Sequence, residues 1–87
     1  YLGVSVYETN SSVIYVEYVQ RGSAADKAGI EKGDKILKID NESISSTAQF
    51  RYQLYKYNVG DKITLTIERN EKEKKLNVTL SSANGGN

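Results

Sequence analysis

The chain contains neither cysteine nor histidine. Their absence removes disulfides, thiol nucleophiles, the common zinc sites and any Ser-His or Cys-His catalytic pair, and no metal or cofactor is expected. An excess of one charge is missing as well: twelve Lys and Arg stand against eleven Asp and Glu, a formal charge of +1. That balance does not give the electrostatic footprint of a phosphate-backbone binder, so nucleic acid is not an expected partner. The basic residues Lys72, Lys74 and Lys75 alternate with Glu71 and Glu73 and read as a solvated edge. No apolar run approaches the roughly 18 residues of a membrane span, so direct membrane insertion is not expected either. With 87 residues, 38% of them hydrophobic, the chain has room for one modest core.

What is present is a series of short alternating segments. In residues 2–6, Leu2, Val4 and Val6 share one face, which predicts a half-buried strand broken by the polar residues 8–12. Residues 13–19 are rich in β-branched and aromatic side chains and predict a central strand. Ser23 followed by Asp26 three residues later forms a capping-box pattern for a short helix that Gly29 ends. Residues 35–40 predict a third strand, with Ile36 and Lys38 on one face and Leu37 and Ile39 on the other, and Ser43 and Ile44 a short bridge after the turn at Asn41.

Ser46 and Gln49 repeat the capping-box spacing, and Phe50, Leu54 and Tyr57 follow at helical intervals until Asn58 and Gly60. Residues 62–69 and 73–80 alternate as two strands of a hairpin turning around Asn70. Tyr15, Tyr18, Tyr52 and Tyr55 are expected to pack on strands or at half-buried helix edges. The expected fold is α+β and mainly β: a small, partly open barrel of five to six strands with one short and one long helix over residues 1–80. Residues 81–87, rich in Ser, Gly and Asn, are expected to form a flexible tail.

The stretch VQRGSAADKAGIEKGDKILKID, residues 19–40, resembles the segment of PDZ domains that runs from a strand through the short helix, and Tyr1-Leu2-Gly3-Val4 resembles their carboxylate-binding loop. With that loop at the start and the last strand at the end, the order is similar to the circularly permuted PDZ domains of bacteria, above all those of HtrA-like (DegP-like) serine proteases. The departures are Arg21 and Lys32, at positions where the family often has proline, and residues 8–12, which are short where HtrA domains often carry a helical insertion. C-terminal processing peptidases and site-2-type membrane metalloproteases carry related domains and remain alternative parents.

The resemblance implies a non-catalytic module that binds C-terminal or extended hydrophobic peptide segments, a monomer in isolation, in an extracytoplasmic bacterial setting. It places the carboxylate on the amides of Leu2, Gly3 and Val4, since consecutive N–H groups in a turn form an anion nest. The last ligand side chain would sit in a pocket of Leu2, Val4, Val6, Phe50 and Leu54. Ser5, Thr47 and Arg51 would meet upstream ligand residues, Arg51 favouring an acidic one. The leading role is substrate recognition or regulation in a larger protease. The alternative is an assembly module holding a fixed partner. An autonomous enzyme would need something like a Ser-Lys dyad, and no part of the sequence places a desolvated lysine beside a positioned serine.

Overall fold

The computed structural model describes residues 2–80, and the expected tail lies outside them. Six strands and two helices follow one another as β1 (Val4–Glu8), β2 (Ile14–Val19), α1 (Ala24–Ala28), β3 (Lys35–Ile39), β4 (Glu42–Ser43), α2 (Thr47–Tyr55), β5 (Lys62–Arg69) and β6 (Lys72–Thr79). All strand pairs are antiparallel, in the order β1-β2-β3-β5-β6 with β4 beside β3. The sheet stays open, and β1 and β6 are its two ends.

One face of the sheet carries the core. Ile14, Ile36 and Ile67 line up across three strands, and Val16, Ile39, Ile63, Leu65 and Val78 are buried with them. Each such side chain contributes about 1.5 to 3 kcal/mol relative to exposure. Alternation in β3 differs from expectation. A register shift against β5 between Ile36 and Lys38 inserts an extra residue, so Ile36 and Ile39 are both buried while Lys38 is exposed.

Both helices start as the serines predict, with a variation. Ser23 Oγ accepts from the Asp26 N–H and Ser46 Oγ from the Gln49 N–H. In a capping box the third residue reaches back to the N–H of the cap itself. Here Asp26 accepts instead from Gly22 N–H at 2.8 Å and Gln49 from Ser45 N–H at 3.0 Å, one residue further upstream. At α1 the reason is visible, because the N–H of Ser23 already donates to the Gln20 carbonyl. Gly29 ends α1 in the left-handed conformation, φ 94°. The long helix stops at Tyr55, short of Asn58. The β5–β6 hairpin turns on Asn70 and Glu71, both at positive φ, as a two-residue turn of the right twist requires. The tyrosines are wetter than expected: Tyr18, Tyr52 and Tyr55 are exposed, and among the described residues only Tyr7 and Tyr15 stack on each other, their ring centroids 5.7 Å apart.

A polar network braces the end of α1. Asp34, 2% exposed, takes Arg69 Nε at 2.8 Å and Nη2 at 2.6 Å, and the same Nη2 donates to the Gly29 carbonyl at 2.8 Å. Asp34 also accepts from the Glu31 N–H. The hydrogen bond with Asp34 raises the Arg69 pKa, against a smaller opposing effect of burial. On the other side of the molecule the Tyr57 hydroxyl donates to Asp40 at 2.5 Å, which pushes the phenol up to about 12, with burial adding to the effect.

Candidate functional site

The first strand begins two residues later than the alternation suggests. Leu2 and Gly3 are a loop, and β1 runs on to Glu8, paired with Ile14. The cause lies in their carbonyls. Leu2 C=O accepts from the Ala25 N–H at 2.9 Å, satisfying an orphan donor in the first turn of α1, and Gly3 C=O accepts from the Gln20 N–H at 2.8 Å. Gly3 sits at φ 88°, where a side chain is strained. A Cβ there would lie 2.2 Å from Ser23 Cβ, so the space a glycine frees at position 3 is used by the cap of α1.

These anchors orient the amides. No peptide bond among the described residues is cis, and a trans unit points its C=O and the next N–H to opposite sides. Tying Leu2 C=O to α1 therefore turns the Gly3 N–H away from α1, and tying Gly3 C=O to Gln20 turns the Val4 N–H away from β2. The ladder agrees. Val4 faces Val19, and the Gly3–Gln20 bond beside them marks a widely spaced pair, whose own N–H and C=O groups point outward. Neither the Leu2 nor the Gly3 N–H donates to another group among the described residues.

Beside this loop runs a groove of about 430 Å³ between β1 and α2, lined by Leu2, Gly3, Val4, Ser5, Val6, Phe50, Arg51 and Leu54. Of the residues singled out in the sequence, only Thr47 is not in its lining. The Thr47 N–H donates to Glu8 Oε1 at 3.0 Å, at the far end of the helix from Leu54. Leu2 and Phe50 are each 3% exposed and belong to the core, so they back the groove, whereas half-buried Val4, Val6 and Leu54 form its open apolar walls. Arg51 is exposed and makes no hydrogen bond or ion pair among the described residues. Its guanidinium is the unpaired charge on the groove's rim. Sequence reasoning missed Glu8, which alternation places on the same face as Val4 and Val6, and buried Gln53 on the inner side of α2.

Comparison with known proteins bears on the same region. The chain is 45% identical over 69 residues to the serine protease Do-like HtrB of Bacillus subtilis and 38% identical over 69 residues to the periplasmic serine endoprotease DegP of Escherichia coli. These matches cover 78% and 79% of the chain but only 15% of each relative, so the chain spans a small part of their length. Among solved structures, an HtrA-type protease, AlgW, with a decapeptide superposes with a TM-score of 0.87 at 26% identity, over 93% of this chain and 28% of that one. The model of the PDZ domain family matches residues 1–80, which takes in the loop, both walls of the groove and the whole sheet: the chain belongs to the PDZ family, in a form similar to that of HtrA-type serine proteases.

Proposed function

We propose that residues 1–80 form a peptide-capturing domain that adds the C-terminal end of another polypeptide as a strand beside β1. The terminal carboxylate rests on the N–H groups of Leu2, Gly3 and Val4. The last side chain enters between Val4 and Leu54, backed by Leu2 and Phe50. The chain then runs antiparallel to β1, so that its third residue from the end faces Val6 and Arg51, and its second lies over Ser5. The observation that carries this reading is the pair of anchored carbonyls at Leu2 and Gly3, which aims successive amides away from the fold at the mouth of an apolar groove.

A backbone nest accepts any carboxylate, and each charge-assisted bond contributes about 1.5 to 3 kcal/mol at most, so selection falls to the walls. Val4, Val6 and Leu54 suit an aliphatic or small aromatic end. Thr47, whose N–H is tied to Glu8 beyond the groove lining, would be the farthest of the upstream contacts. The kinship with HtrA-type proteases supports a substrate-recognition or regulatory role in a serine protease acting outside the cytoplasm, with unfolded or cleaved chain ends as the ligands. Isothermal titration with one apolar-ended peptide, its C-terminus either free or amidated, tests the capture directly. The free acid is expected to bind at least about tenfold more tightly, and equal binding of the two would reject the carboxylate site.

A further inference from the structure

The groove has an open end and a closed one. Val4, Val6 and Glu8 follow one another on the same face of β1, since side chains alternate along a strand. The first two are apolar walls, but the third carries a carboxylate that crosses to α2 and accepts the Thr47 N–H at 3.0 Å. Among the described residues this is the one hydrogen bond that joins β1 to α2. It satisfies the first N–H of the helix, while Ser46 Oγ and Ser46 C=O take those of Gln49 and Phe50. Glu8 thus adds to the helix cap from across the groove, 39 residues away in sequence.

We infer that the Glu8–Thr47 bond is a clasp that limits how much of a ligand the groove reads. The inference rests on the strand-addition reading above. A strand rises about 3.3 Å per residue, so the four steps from Val4 to Glu8 span about 13 Å. Ligand residues facing inward are the last, the third from the end and the fifth from the end. The first two meet Val4 and Val6. The fifth meets the clasp and must either break it or leave the groove. The domain therefore recognises about four terminal residues, and sequence further upstream is not read while Glu8 stays in place.

N-acetylated peptides of four and eight residues, alanine throughout except for a free C-terminal valine, are titrated against the whole chain and its Glu8→Ala and Glu8→Gln variants. The unaltered protein binds both lengths with affinities within about twofold, because residues beyond the fourth add no contact. Glu8→Ala opens the upstream end and binds the longer peptide about fivefold more tightly than the shorter, while Glu8→Gln, which keeps an acceptor for Thr47, retains the flat profile. Amide exchange at Thr47 is expected to speed up in Glu8→Ala and not in Glu8→Gln, which reports the clasp independently of any ligand. An unaltered length profile in Glu8→Ala, or a steep gain from four to eight residues in the unaltered protein, overturns the clasp alone. Failure of the unaltered protein to bind either peptide overturns strand addition and the clasp with it.

Discussion

At the corner between α1 and β5, Arg69 makes three hydrogen bonds, two of them to a carboxylate that is almost fully buried. Between β1 and α2, one exposed hydrogen bond spans the two walls. The first region closes a loop where no element has to move. The second lies where an added strand would have to enter. Elements that receive ligands are drawn from the less stable parts of a fold, and the distribution of polar contacts here follows that division.

If the division is real, damage to the braced corner should cost stability and spare binding. Arg69→Ala takes the cation away from the buried Asp34 carboxylate and leaves it the Glu31 N–H as a donor, and is expected to lower the unfolding free energy by about 3 to 4 kcal/mol in urea titrations. Peptide affinity measured well below the new midpoint should stay within about twofold, and a large loss there would break the contrast between the two regions.

A smaller effect is expected at Tyr57, which ties the segment after α2 to Asp40. Tyr57→Phe should cost about 1 kcal/mol at neutral pH. The fold holds this phenol protonated up to about 12, above its ordinary 10. Its contribution is therefore complete below pH 10 and is lost as the pH rises through 12, because the unfolded chain releases the proton first. The difference in stability between the unaltered protein and Tyr57→Phe should shrink over that window. A constant difference from pH 8 to 12 would mean that the hydroxyl's partner is not Asp40.

The smallest effect sharpens the comparison from the groove side. Arg51→Glu should change stability by less than about 0.5 kcal/mol, since the side chain is exposed and has no ion-pair partner among the described residues. It should reverse a preference of about three- to fivefold for glutamate over lysine at the third ligand residue from the end, read by paired peptide titrations. A preference left unchanged by the substitution would remove Arg51 from ligand selection.

The sequence was most informative where the physics is local. Ser23, Ser46, Gly29 and Asn70 act within a few residues of themselves, through caps and a turn, and their roles could be read from spacing alone. The groove lining, which leaves out Thr47, was also legible, through what the family resemblance implies for the loop and the long helix. What stayed hidden depends on partners far along the chain. The register shift that buries both Ile36 and Ile39 is set by pairing with β5. The Asp34–Arg69 pair joins residues 35 positions apart, and the Glu8–Thr47 bond spans 39. Alternation of Leu2, Val4 and Val6 suggested one continuous strand, because nothing local reveals that the Leu2 carbonyl is claimed by α1.

Gly3 is packed so closely against Ser23 that a side chain at position 3 would have to displace it. The five-residue helix α1, which lines no part of the groove, is therefore the footing on which the donor loop stands. A change in α1 that shifts its first turn by a fraction of an ångström would tilt the amides at the groove's mouth. Under the proposed strand addition, sequence variation in α1 would thus retune carboxylate binding while every residue in the groove stayed the same.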